Sequence, residues 1–187
     1  MARLRPDSFE KLLASDTVGA ARALLGSNLC RRREDGATAR FRISETEAYD
    51  GFSDRASHAA RGITERNAPM YGPHGVWYVY LCYGMHEMLN LVTREAGYPA
   101  AILLRGAWEM DTQGRPLRRI DGPGRLTKSL GVHRKEFNGR AANEATGLWL
   151  EPGVVAPESE VLRTPRIGVD YAGPEWASMP WRFLWKP

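Results

Sequence analysis

The sequence predicts an α/β domain of the α+β type, built on a mostly antiparallel sheet. Three observations predict it. Residues 27–33 and 38–47 read as strands joined by a turn around Asp35-Gly36, a hairpin signal. Residues 76–82, Val-Trp-Tyr-Val-Tyr-Leu-Cys, are rich in aromatic and β-branched side chains, and Tyr83-Gly84 turns them back into a second run, Met85 to Thr93. A length of 187 residues with 43% apolar content suits one domain with an ordinary hydrophobic core.

Taken in order, residues 1–6 read as a loose arm. Asp7 or Ser8 caps a short helix carrying Phe9, Leu12 and Leu13. Asp16 caps a second helix, Thr17 to Leu25, whose apolar face holds Val18, Ala21, Leu24 and Leu25 and which Gly26 can end. In the strand 38–47, Phe41 and Ile43 alternate with Arg42 and Ser44, as in a half-buried strand. Residues 50–75 are polar and broken by glycine and proline. A loop of that length is usually functional, and this one holds His58, Arg61, Arg66, Asn67 and Met70. The aromatic strand and its partner then form a hairpin with Tyr83 at its tip. Gly97-Tyr98-Pro99 turns the chain into an apolar strand, Ala100 to Arg105. Residues 111–123 read as a polar loop, Arg125 to Leu130 as a helix closed by Gly131, and 132–147 as polar surface. Leu148 to Glu151 and Arg163 to Val169 read as strands. No repeat or linker divides the chain, so 1–187 is expected to be a single domain.

The net charge of +4 and the pI near 9.3 invite a polyanionic partner. Two distant cysteines, Cys30 and Cys82, fit neither a disulfide framework nor a zinc ribbon. The N-terminus has no apolar signal region, and no apolar run approaches the roughly 18 residues of a membrane helix. A soluble, cytoplasmic protein without a membrane partner is the expectation.

His86-Glu87-Met88-Leu89-Asn90 is one residue short of HExxH, but it reads as strand, where the two ligand positions would not share a helix face. No metal site is expected, and no GxSxG nucleophile is present. Carboxylates remain. Glu45 and Glu47 are two apart, so a strand places both on one face, with Ile43 expected there too. An acid carried off an apolar row toward a pocket gains a raised pKa and becomes a candidate general base. The spacing does not choose between the two, and two solvated acids at a strand end fit it as well. Tyr49 and His58, taken singly, read as packing and as a loop histidine. Tyr78 and Tyr80 share a strand face, as in cross-strand packing. Tyr83 has little core to reach, and an exposed aromatic on a basic protein suits insertion between stacked bases. Arg105 is either a surface charge or a fixed cation beside an acid. Gly122-Pro123-Gly124-Arg125 can present helix N-terminal amides to a phosphate.

Several motifs then stand in order: ETEAY (45–49), the GxxDxASH spacing from Gly51 to His58, RNAPMYGPHG (66–75), YVYLCYGMHEMLN (78–90), ILLRG (102–106), GPGRLTKSLG (122–131) and RIGV (166–169). Together they resemble the alkyladenine (3-methyladenine) DNA glycosylase family, which excises alkylated and deaminated purines. The resemblance spans roughly 20–185. It implies one domain with a curved sheet, helices around it and a hairpin projecting into DNA. It implies Glu47 as the general base for an attacking water, with Arg105 and the Ile167 carbonyl holding that water. Tyr49, His58 and Tyr80 then wall a base pocket, and Asn90 discourages normal guanine. Tyr83 fills the vacated stack, and Met70 lies beside that wedge. The partner implied is double-stranded DNA containing damaged purines, bound by a monomer without metal or redox cofactor. Arg61, Arg66, Arg125 and Lys128 are the candidate phosphate contacts. Residues 111–121 and 132–147 match no family motif, and Trp181-Arg182-Phe183 matches only loosely. Two other classes stay open: a non-catalytic module for lesions or bent DNA, and an unrelated acid/base hydrolase of a small substrate.

Overall fold

The computed structural model describes residues 6–186, with side chains from Glu10 onward. Among them, nine strands join one sheet: β1 (Asn28–Arg32), β2 (Thr38–Asp50), β3 (Trp77–Cys82), β4 (His86–Val92), β5 (Ala100–Met110), β6 (Pro116–Asp121), β7 (Leu148–Glu151), β8 (Val161–Thr164) and β9 (Arg182–Trp185). The main path runs β3-β4-β5-β2-β1-β7, with every pairing antiparallel. Helices α1 (Pro6–Ser15), α2 (Thr17–Ala23), α3 (Pro123–Leu130), α4 (Arg134–Phe137) and α5 (Pro174–Ser178) accompany it.

The long strands β2 and β5 are the spine, and each changes its outer partner part-way along. β2 pairs with β1 through Arg42 and with β9 from Glu45 to Glu47. β5 pairs with β4 from Ala101 to Leu103 and with β6 from Gly106 onward. The exchange falls where the β2–β5 register slips, between Ile43 and Glu45 and again between Glu45 and Thr46. Such bulges bend a strand and increase its twist, so the sheet curls here. Gly106 lies at this crossing, where an added Cβ would stand 3.2 Å from both the Ile120 carbonyl and Ser44 Oγ.

The bulge also reverses the faces of β2. Phe41 and Ile43 are in the core, but so is Ala48, and Thr46 Oγ donates to the Ala21 carbonyl of α2 at 2.8 Å. Glu45 and Glu47 therefore point away from Ile43, contrary to the shared face expected from simple alternation. From Ser44 to Ala48 the strand is buried on both sides rather than half-buried. The main core lies on the other face and gathers Leu24, Leu29, Phe41, Trp77, Leu91, Ile102, Leu104 and Phe137.

Asp16 caps α2 as expected, its carboxylate accepting the Gly19 amide at 2.8 Å. Several boundaries differ from the sequence reading. Of the expected arm 1–6, residues 1–5 lie outside the described residues and Pro6 opens α1, which therefore already includes Asp7 and Ser8 instead of starting after them. Residues 116–121 form β6 because they pair with β5; only Ile120 is buried, so the edge strand reads as a polar loop. The segment 132–147 is not all surface, since Val132 and Phe137 enter the core. The expected strand at 163–169 ends at Thr164, leaving Ile167 in the connection to α5.

Candidate active site

Glu47 has no exposed surface. Its Oε1 accepts the Ile167 amide at 2.8 Å, and its Oε2 accepts the Tyr49 hydroxyl at 2.8 Å and Arg105 Nη1 at 3.4 Å. Burial pushes this carboxyl above the ordinary carboxylate range, while Arg105, the Ile167 amide and the Tyr49 hydroxyl pull against that rise. Glu45 is the support. Its Oε1 accepts Arg105 Nε at 2.9 Å and Arg182 Nε at 2.7 Å, so it fixes the guanidinium that faces Glu47. The two acids left equivalent by spacing are thus separated by their partners.

Tyr49, Arg105 and Ile167 form part of the wall of a cavity of about 660 Å³, and Glu47 lies just behind them. The rest of the wall is aromatic. The rings of His58 and Tyr80 meet edge to face with centroids 4.6 Å apart, and Tyr78 and Tyr80 lie 5.3 Å apart. His58 Nδ1 shares a hydrogen bond with the Tyr78 hydroxyl at 3.0 Å. Burial, with the Arg66 charge nearby, lowers His58 to about 4, so its imidazole is neutral near pH 7. Asn90 is buried in the wall and donates to the Tyr78 carbonyl at 3.0 Å. Burial raises both Tyr78 and Tyr80 above the usual phenol range, keeping them protonated.

The β3–β4 hairpin closes one side of the cavity. Tyr83 at its tip is 89% exposed and takes a left-handed φ of 50°. Met70 lines the same cavity as Tyr83. It is 2% exposed and packs against Tyr78, Val92 and Ala101 in the cavity wall. The exposed methionine at the tip is Met85, 73% exposed, directly after Tyr83-Gly84. Arg61, Arg66, Arg125 and Lys128 are all exposed. Arg66 is engaged at the cavity, its guanidinium 4.9 Å from the centre of the Tyr80 ring. Arg125 and Lys128 instead line a separate groove beside β6 with Arg118 and Arg119. His86 and Glu87 lie in β4, so the near-HExxH segment is strand.

A family model described as Methylpurine-DNA glycosylase (MPG) matches residues 11–187. The chain belongs to that family. A protein of Myxococcus xanthus (strain DK1622), named "Putative 3-methyladenine DNA glycosylase", is 48% identical over 181 residues, covering 96% of this chain and 88% of its own. Proteins of the same name are similar in Anaeromyxobacter dehalogenans (strain 2CP-C), at 44% identity over 91% of this chain and 79% of theirs, and in Methanocella arvoryzae, at 43% over 89% and 86%. As a methylpurine-DNA glycosylase family member the protein is a DNA repair enzyme with DNA as its substrate.

Sequence reasoning missed several groups around this glycosylase site. Tyr78 packs with Tyr80 as expected, and its hydroxyl, unforeseen, also holds His58. Arg182 carries Glu45 from a segment that matched the family only loosely. Arg166 and Asp54 form a fully buried ion pair against the site. Both stand inside motifs already noted, RIGV and GxxDxASH, but a buried pair 112 residues apart leaves no local signal.

Proposed function

We propose that the protein is a monofunctional glycosylase that extrudes damaged purines from duplex DNA and hydrolyses their N-glycosidic bond with water activated by Glu47. One observation carries the reading: a fully buried carboxylate, held by three donors, stands directly behind an aromatic cavity beside an exposed tyrosine tip. A base within a duplex hides its glycosidic bond, and unstacking it costs a few kcal/mol. Tyr83 offsets that cost by filling the gap, with the exposed Met85 next to it at the tip and the buried Met70 in the cavity wall.

In the cavity the purine lies among Tyr49, His58 and Tyr80. Alkylated purines such as 3-methyladenine and 7-methylguanine carry positive charge, and electron-rich rings attract it. Neutral His58 offers hydrogen bonds without repelling that charge, which also suits neutral hypoxanthine and ethenoadenine. Asn90 disfavours the exocyclic amino group of normal guanine. The attacking water takes its place at Arg105 and the Ile167 carbonyl, where Arg105 makes the longest of the three contacts to Glu47. Glu47 accepts one proton from the water, and the oxygen of that water bonds to C1′. The base departs with the electrons of the broken bond, neutral where it was cationic and taking up a proton where it was not, and leaves an abasic site, after which Glu47 returns its proton to solvent. The anionic carboxylate also stabilises the developing positive charge on the sugar. None of the residues lining the cavity is a lysine, which favours water over an amine as the nucleophile.

Duplexes carrying one hypoxanthine, and methylated duplex DNA, test this directly. Free purine should appear, and the strand should stay intact until alkali is added. Strand breakage without alkali would refute the monofunctional reading. Binding without release would favour a lesion-binding module, and neither would favour a small-substrate hydrolase.

A further inference from the structure

We propose that Asp54 and Arg166 are positioning residues, whose buried ion pair sets the Ile167 amide against Glu47 and the His58 loop against the cavity. The inference rests on the reading of Glu47 as the base. Both side chains have no exposed surface. Arg166 Nη1 donates to Asp54 Oδ2 at 2.6 Å and to the Ala48 carbonyl at 2.9 Å. Its Nη2 donates to Asp54 Oδ1 at 2.9 Å and to the Trp176 carbonyl at 3.3 Å. The guanidinium plane lies between the Tyr49 and Trp181 rings, 4.8 Å and 5.0 Å from their centres. A two-pronged, stacked contact of this kind has one orientation.

The position of the clamp is what gives it a role. Arg166 immediately precedes Ile167, whose amide is a donor to Glu47. Ala48, which it grips, lies between Glu47 and Tyr49 on β2. Asp54 meanwhile shapes the loop on the other side, accepting the Asp50 amide at 3.2 Å and the Ala56 amide at 3.0 Å. Its own carbonyl accepts the Ser57 amide at 2.9 Å, and Ser57 caps the short turn that begins at His58. One ion pair therefore joins three segments: the strand of the base, the loop of the pocket histidine, and the loop that supplies Ile167. A purely structural pair could sit anywhere in the core; this one touches the backbone on both sides of the site.

The charged and titratable groups that face Glu47 are Tyr49 on its own strand, Arg105 from β5 and Arg182 from β9, with Glu45 between the guanidiniums and the Tyr80 and Tyr171 phenols beyond. Loosening the Ile167 amide removes a donor that favours the carboxylate, while these others stay in place. The test is the titration of Glu47, followed by NMR of carboxyl-labelled glutamate in the free protein, in wild type, Asp54→Glu and Arg166→Lys, both of which keep the charges of the pair while changing its geometry. Either variant should raise the Glu47 midpoint by about one pH unit, so that below the midpoint about tenfold less carboxylate is present. The acid limb of single-turnover base release should move by the same amount, with a lower plateau from the displaced His58 loop, while binding to abasic-site DNA, which presents no base to His58, stays nearly unchanged. An unmoved midpoint in a folded variant overturns the proposal. So does an equal loss of rate at every pH with the acid limb unmoved, which general destabilisation would produce. Because the midpoint is read without substrate, failure of release by the wild type would count against the function, and an unmoved midpoint against the clamp.

Discussion

At the scale of single residues, Glu47 and His58 are both displaced from their ordinary titration, in opposite senses and chiefly by burial. Glu47 must be ionised to take a proton, and its carboxyl lies above the ordinary range. Base release is therefore predicted to rise with pH along an acid limb higher than that of a free glutamate; a pH–rate profile under single-turnover conditions checks this. His58 stays neutral in the folded protein down to about 4, whereas in the unfolded chain it takes up its proton near 6.5. The unfolded state therefore binds more protons between those values. The contribution of neutral His58 to stability is complete above about 6.5 and is lost as pH falls toward 4. Thermal melts at pH 7 and pH 4.5 should show a smaller acid-induced drop in His58→Gln than in wild type. An equal drop in both would mean that His58 is not the group responsible.

At the scale of elements, the proposed mechanism assigns delivery of the substrate to the β3–β4 hairpin and the chemistry to the bulged crossing of β2 and β5. Tyr83 is 89% exposed with φ 50°, so it contributes little to the core and its backbone suits glycine. Tyr83→Gly should melt within about 0.5 kcal/mol of wild type. Its release from duplex should fall about tenfold, as expected for stacking worth ~1–3 kcal/mol, and by less where the target base is already looped out. Equal losses on both substrates would remove the wedge role. The hairpin was legible in the sequence because an aromatic run, a Tyr-Gly turn and a return run are all local. The bulge was not. Alternation placed Ile43 beside the acids, and only the slipped pairing with β5 shows that they face opposite ways. Phe137 marks the same limit, since a lone aromatic in a polar stretch carries no period. It is fully buried, and Phe137→Ala should cost ~3–5 kcal/mol by chemical denaturation. Glu47 was picked from Glu45 by resemblance, not by spacing; the geometry adds the reason for the pairing, with Glu45 holding Arg105.

At the scale of the whole molecule, the net charge of +4 suits a polyanionic substrate, and binding to duplex DNA should weaken steeply with salt. The groove beside β6 gathers Arg118, Arg119, Arg125 and Lys128 away from the base cavity. If Arg125 meets a phosphate, Arg125→Ala should reduce the salt slope of binding by about one, measured by fluorescence anisotropy over a salt series. An unchanged slope would leave that groove outside the DNA footprint. The fold brings the exposed tip, the aromatic cavity and the buried carboxylate to one place from distant parts of the chain, and the account stands or falls on what the carboxylate does. The most direct measurement is single-turnover release of hypoxanthine from a duplex by wild type and Glu47→Gln, with binding to the same duplex measured alongside. The account predicts release by the wild type, none detectable from Glu47→Gln, and binding retained by both. Release at the wild-type rate from Glu47→Gln would contradict it.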